Sequence, residues 1–296
     1  MLSSLRLVRA MAVAAMAVLV MAVMAVLVPG TPSVAVETPS PVPSTASPEA
    51  TETAEAAVSP ETGDCWAYGF RAAVAATGTV PVQRPVPCGS DHTATTLAVG
   101  GLAAYADGHL LALDAPAVQA DAARSCEATF DDRVGGTERT RSLTLLRPVW
   151  VLPSFEAYLE GASWFRCDVV LLGREGRLAP LPGGIRGALD GAAVPPRRVG
   201  RCSTGVPGAE RSREVVCSRA HRWRAVAAVP VAPAGARGEQ ASYPGRGAVA
   251  ATTRTACERV AQREQGTVRF RYSAQFPSRG EWNDGRRLGT CWLPSR

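Results

Sequence analysis

The chain contains no lysine, so all 32 of its basic residues are arginines. Without a side-chain primary amine there is no Walker A loop, no Schiff-base lysine and no Ser-Lys dyad. Histidine is almost as scarce, present only as His92, His109 and His221. Neither His-Glu-x-x-His nor Gly-x-Ser-x-Gly occurs, so the commonest zinc-protease and serine-hydrolase signatures are missing too. Cysteine first appears at Cys65, far beyond the apolar run near the start, which argues against a lipoprotein. No catalytic residue, metal-ligand set or cofactor is expected from these patterns.

What is present begins with an export signal. Met1 to Arg9 carries Arg6 and Arg9 and no acid, and the next 19 residues, Ala10 to Val28, are apolar throughout. That length is long for a cleavable core and about enough for a helix to cross a bilayer, so residues 1–28 fit both a signal peptide and a membrane anchor. A small-x-small site at Ser33-Val34-Ala35 favours cleavage; the length favours a transmembrane helix. Residues 29–62 are then dominated by Pro, Thr, Ser, Ala, Val and Glu, the composition of a disordered tether. In either case the bulk of the chain is expected outside the cytoplasm, in the cell envelope or secreted.

Eight cysteines follow the tether: Cys65, Cys88, Cys126, Cys167, Cys202, Cys217, Cys257 and Cys291. An even number in an exported chain reads as a disulfide framework. They also reveal an internal repeat. Pro153 to Cys167 and Pro277 to Cys291 share Pro-Ser, an aromatic (Tyr158 or Trp282), a glycine (Gly161 or Gly285) and a cysteine at identical spacing. Upstream, Cys88-x-x-x-His92 is matched by Cys217-x-x-x-His221, and Cys126 and Cys257 each sit in an Ala-rich helical stretch. The chain therefore reads as a tandem duplication, with copies at residues 63–173 and 199–296 and a Gly/Pro-rich linker at 174–198.

Each copy is expected to be a small α+β domain, a short antiparallel sheet with one main helix. Strands are predicted at Trp66 to Phe70, Val80 to Pro87, Thr93 to Leu102, Ser142 to Leu152 and Ser163 to Leu172, with late counterparts at Thr267 to Ala274 and Arg287 to Leu293. A helix capped by Asp114 would place Ala122, Cys126 and Phe130 on one inward face, as Val249, Thr253, Cys257 and Val260 would be in the second copy. Ser154 and Ser278 should each begin a short helical turn. Neighbouring strands favour pairing Cys65 with Cys88 and Cys202 with Cys217; a helix packed on the last strand favours Cys126 with Cys167 and Cys257 with Cys291.

Gly63-Asp64-Cys65, Pro87-Cys88-x-x-x-His92, a helical cysteine, then Pro-x-x-x-x-aromatic-x-x-Gly before a final cysteine together resemble the septum formation domain of actinobacterial envelope proteins, here in two tandem copies. The second copy departs at Gly200-Arg201-Cys202, and the first has Tyr158 where a Trp is usual. The resemblance implies an exported or membrane-tethered protein connected with cell division and defines no biochemical activity; the scarcity of enzyme signatures makes a non-enzymatic binding or scaffold module the expected function.

His92 and His221, placed alike after a cysteine, are candidate ligand contacts; capping of a turn or a backbone hydrogen bond is the simpler role, and an oxidising setting argues against zinc. An alternative function is an enzyme acting on cell-wall material with its site near one of these histidines. Trp66, Tyr68 and Phe70 alternate and read as core rather than as a sugar platform. Charge is the other signal: Arg197 to Arg296 holds 19 arginines and 7 acids, a balance of +12, while the residues before it sum to −6. This points the second copy toward anionic lipid or wall polymer, with Arg269 and Arg271 on one strand face opposite Val268, Phe270 and Tyr272. Partners are thus expected among envelope or division proteins, or anionic lipid and wall polymer, with the membrane reached through an uncleaved N-terminal segment and no nucleic acid involved.

Overall fold

The computed structural model describes residues 59–73, 84–103, 105–106, 109–174, 176–231, 242–267 and 269–295. The expected export segment at 1–28 and all but the end of the tether at 29–62 lie outside them, as do residues 80–83 of an expected strand and Val268. The first half contains β1 (Cys65–Trp66), α1 (Phe70–Ala73), β2 (Ala94–Gly101), β3 (Tyr105–Ala106), β4 (His109–Leu110), α2 (Pro116–Val134), α3 (Glu138–Ser142), β5 (Leu146–Val151), α4 (Phe155–Leu159), β6 (Trp164–Leu172) and β7 (Leu178–Ala179). The second contains β8 (Arg201–Ser203), β9 (Glu214–Val216), β10 (Trp223–Pro230), α5 (Arg246–Gln265), β11 (Ser273–Gln275), α6 (Arg279–Asn283) and β12 (Leu288–Pro294). The fold is α+β with two antiparallel sheets, as expected.

The repeat is visible strand by strand. The first sheet runs β1-β2-β6-β5, and the second contains the same path as β8-β10-β12-β11. Register agrees as well. Cys167 lies opposite Ala98 and Cys291 opposite Ala227, in each case just past an irregularity in the partner strand. Cys65 lies between Thr95 and Val86, and Cys202 between Arg224 and Val215.

Helices α2 and α5 form because their apolar positions recur one turn apart. Val118, Ala122, Cys126, Phe130 and Val134 are the buried face of α2; Val249, Thr253, Cys257 and Val260 lie on the buried face of α5. Each helix is bolted to the last long strand of its sheet, Cys126 to Cys167 and Cys257 to Cys291, while Cys65 joins Cys88 and Cys202 joins Cys217. Ser154 and Ser278 cap α4 and α6, and Glu281 completes a capping box with Ser278.

Several local expectations are corrected. Asp114 does not cap α2: the N-cap is Ala115, and Pro116 begins the helix without an N–H to satisfy. The strand expected at Trp66 to Phe70 stops at Trp66, because the Tyr68 amide donates to Thr93 Oγ1 (3.0 Å) and the Thr93 hydroxyl donates to the Tyr68 carbonyl (2.7 Å), diverting the backbone from the ladder. The strand expected at Thr267 to Ala274 shrinks to β11, since the Gln265 side chain holds the main chain of Arg271 through a donated bond of 2.8 Å to its carbonyl. The start of the strand expected at Ser142 to Leu152 is instead the end of α3, nucleated by Thr137 accepting from the Thr140 amide.

Residues 174–198 are not a free linker. They supply β7 and fold over the end of α2: Leu181 N–H donates to the His92 carbonyl (2.9 Å), Gly187 N–H to Arg133 (2.8 Å) and Leu189 N–H to Val134 (3.1 Å). Leu181, Ile185 and Leu189 are buried in one cluster with Leu97, Phe130, Val134, Val169 and Leu171. Gly136 permits the approach, because a Cβ there would meet the Leu189 side chain at 2.8 Å. Glycine and proline here serve a tightly turned, packed path.

The two copies share a seam. Thr144 bridges to Gly200, Leu145 N–H donates to the Val199 carbonyl (3.0 Å) and Arg201 N–H to the Leu143 carbonyl (2.9 Å). Leu143 is buried against Trp223, Ala225, Ala228 and Trp292 of the second sheet, and Val199 and Val216 close the cluster of the first. Arg147 reaches this seam from the first copy, where burial first, and then Arg201, lower its pKa to about 10, still fully protonated near neutrality.

Mass mapping of the unreduced protein should yield the four intra-copy bridges and none joining the copies; replacing Cys257 and Cys291 by Ala should cost about 3 to 4 kcal/mol in chemical denaturation. Leu143→Ala should destabilise by about 2 to 5 kcal/mol. Unfolding should remain a single transition, because the seam couples the copies; two resolved transitions would show them to be energetically independent.

Candidate functional site

The two matched histidines are held alike by the turn that follows the second cysteine of each copy. His92 Nδ1 lies 2.9 Å from the Ser90 carbonyl and His221 Nδ1 lies 2.6 Å from the Arg219 carbonyl. Each ring thus closes its own turn through a backbone contact two residues upstream. Their surroundings differ.

His221 stands on the wall of an open groove of about 880 Å3. It is lined by the Ser218 to His221 turn, by Arg224 and Val226 of β10, by Glu264, Gln265 and Thr267 at and just past the end of α5, by Leu293 to Ser295 at the end of β12, and by Arg197. Three arginines line it with one acid, so the groove carries a positive potential; Arg197 and Arg219 are exposed, while the half-buried Arg224 donates from Nη2 to the Pro195 carbonyl (3.1 Å). Val226 and Leu293 give the lining an apolar part, and the Ser295 Oγ is buried without a hydrogen-bond partner.

Arg269 and Arg271 are both exposed, yet not on a strand as the alternation suggested. They sit in the loop leaving α5, tied to the groove wall because Thr267 Oγ1 donates to the Arg269 carbonyl (2.7 Å) and the Gln265 amide to that of Arg271. The structure therefore brings His221 and these two arginines to neighbouring parts of one basic face, and leaves His92 on the other copy. All eight cysteines lie in disulfides, so none is a free thiol. Among the described residues no group of three or more His, Cys, Asp and Glu is placed to hold a metal ion.

A second polar constellation was missed in the sequence. In the first copy, Asp168 is fully buried and accepts from Thr96 Oγ1 (2.7 Å), Arg166 Nε (2.9 Å) and Tyr68 Oη (3.1 Å). Trp66 Nε1 donates to Thr96 Oγ1 (2.8 Å), and the Arg166 guanidinium stacks 3.5 Å from the Trp66 ring centroid. Burial pushes the Asp168 carboxyl up despite the opposing pull of Arg166, and burial followed by the Asp168 charge pushes the Tyr68 phenol well up. The only advance signal was Arg166-Cys167-Asp168, a charge on either side of a core cysteine in a strand; period-2 alternation puts those two charges on the face opposite the cysteine, which ordinarily means solvent.

The network is enclosed on all sides, so its role is to fix the β1–β2–β6 face rather than to bind. Asp168→Asn should cost about 3 to 5 kcal/mol at neutral pH in denaturant titration, since it leaves Arg166 as an uncompensated buried charge. The folded carboxyl titrates above its usual 3.8, so its contribution to stability falls as pH rises from there through the raised value; the Asn variant should lack that segment of the pH–stability curve.

No helix among the described residues is long and apolar enough to cross a membrane. The four disulfides mark maturation in an oxidising compartment outside the cytoplasm. No curated protein and no solved structure matches the chain. A family model does: that of septum formation proteins matches residues 122–291, from the middle of α2 to the final cysteine, as one span across both copies rather than as two separate matches. With more than half of its length so matched, the chain belongs to the septum formation family.

Proposed function

We propose that the protein is a non-enzymatic envelope module that binds anionic envelope components on the open basic face of its second copy, with the first copy as the scaffold that supports that face. The observation that carries this reading is the groove beside His221, where Arg197, Arg219 and Arg224 stand against Glu264 alone. Arg269 and Arg271 extend the same charge beyond its wall. The +12 balance of residues 197–296 supports it, as does the engagement of both histidine rings with backbone carbonyls in matching turns. In this reading each copy is one septum-formation-like unit, residues 1–28 deliver the chain to the membrane as signal or anchor, and residues 29–62 space the folded part from it. The connection with division rests on the family alone.

Full-length protein should pellet with isolated cell envelopes, and the fraction bound should fall steeply with added salt, because exposed charges are screened within about 8 Å at physiological ionic strength. Arg269→Gln with Arg271→Gln should weaken binding without changing thermal stability, while His92→Ala with His221→Ala should leave it near wild type. Salt-independent pelleting would remove the electrostatic basis of the proposal. Release of soluble fragments from purified walls, lost in the double histidine variant, would establish an enzyme instead.

A further inference from the structure

The repeat makes one copy a template for reading the other. With the cysteines and strand registers aligned, His92 corresponds to His221, Leu97 to Val226, Arg133 and Val134 to Glu264 and Gln265, and Val169 and Leu171 to Leu293 and Ser295. Every second-copy residue in that correspondence lines the groove. Of the first-copy residues in it, His92, Arg133 and Val134 accept backbone hydrogen bonds from the segment Leu181 to Leu189, and Leu97, Val134, Val169 and Leu171 share one buried cluster with Leu181, Ile185 and Leu189. The place that is an open groove in the second copy is occupied, in the first, by nine residues of the chain itself.

Resting on the binding function proposed above, we infer that the groove is a docking site for an acidic polypeptide segment that follows the backbone path of Leu181 to Leu189. Polypeptide fits because the acceptors the first copy offers to amide N–H groups have equivalents here. Glu264 and Gln265 end α5, and carbonyls of a last helical turn have no partner within the helix. The lining retains the apolar Val226 and Leu293 for apolar side chains of the occupant, but has Gln265 and Ser295 where the first copy has Val134 and Leu171, so the occupant is less apolar than Leu181 to Leu189. Acidity follows from the walls. Arg219 and Arg224 stand where the first copy has Ser90 and Thr95, and Arg197 joins them, which outweighs the exchange of Arg133 for Glu264 and leaves the open site net positive. A wall polymer or lipid headgroup would satisfy the arginines and leave the amide acceptors and the apolar lining unused.

The probe is a synthetic peptide of residues 181–190 carrying Arg186→Glu, titrated against the full-length protein by fluorescence anisotropy, beside phosphatidylglycerol vesicles and purified anionic wall polymer. The acidic peptide should bind at least tenfold more tightly than the unchanged sequence. Arg219→Glu, an exposed turn residue, and Ala220→Trp, which fills the groove from an exposed position, should each reduce that binding tenfold or more, whereas Arg254→Glu, an equal charge change on an exposed part of α5 outside the groove, should leave it within twofold. Peptide binding equally affected by Arg254→Glu, or untouched by Ala220→Trp, would overturn the groove as the site. Binding of vesicles or wall polymer but not of the peptide would overturn the polypeptide inference and leave the general binding function standing. Failure of all three probes, together with loss of envelope pelleting, would remove both.

Discussion

Each copy is organised around one covalent contact, between the middle of its long helix and the middle of its last long strand. Cys126, Cys167, Cys257 and Cys291 are all essentially inaccessible to solvent. The bridge holds the helix across the sheet at a fixed point, and from there the helix register dictates which residues face the strands. In a fold with so little sheet per copy, the apolar area alone supplies a modest margin over chain entropy, and closing a loop of 34 or 41 residues restrains the unfolded chain by an amount comparable to that margin. The contact sits at the same strand register in both copies, which explains why the two halves keep the same strand order while their loops and surfaces diverge.

Around the shared frame the two cores are filled by different chemistry. Where the first sheet places Asp168 opposite Thr96, the second places Trp292 opposite Ala225. One copy satisfies a buried charge with Arg166, Thr96 and Tyr68; the other fills the equivalent face with Trp292 and Trp223 and covers them with Leu143 from its neighbour. A size exchange accompanies this at the sheet's other end. Gly100 makes room for Phe165 in the first copy, and Gly289 makes room for Thr253 in the second. Each substitution is tolerable only with its compensating partner, since interiors are close-packed and unpaired buried polar groups are costly. The copy that relies on Leu143 has surrendered independence, which is the physical reason the seam forms one body out of two repeats.

The same divergence separates scaffold from site. The first copy closes over its helix end with Leu181, Ile185 and Leu189, and the result is core. At the matching place the second copy lines the space with arginine and polar side chains, and the result is a groove. Positive charge would be self-repelling around a buried segment, but facing solvent it is stable and available to a ligand.

The repeat, the disulfide pairing, the helix faces and the capped turns could all be read in the chain, because each depends on short-range spacing: cysteines at recurring intervals, apolar residues one helical turn apart, a serine three residues before a free amide. The charge imbalance and the two matched histidines were equally legible. What lay beyond reach were contacts made between residues distant in sequence. Asp168 looked like an exposed strand charge until Thr96 and Tyr68 were brought to it. Residues 174–198 looked like a linker because Gly and Pro signal turns without saying whether those turns pack against anything. Arg269 and Arg271 alternated as a strand does, but the side chains of Thr267 and of Gln265 at the end of α5 captured their backbone carbonyls first. The groove lies where the first copy packs Leu181 to Leu189 against its own helix end and sheet. Local spacing favoured the cysteine partners and placed the long helices and the main strands, since both depend on short-range periodicity; tertiary packing decided where the shorter strands stop, which copy carries charge at its helix end, and that the two share a core.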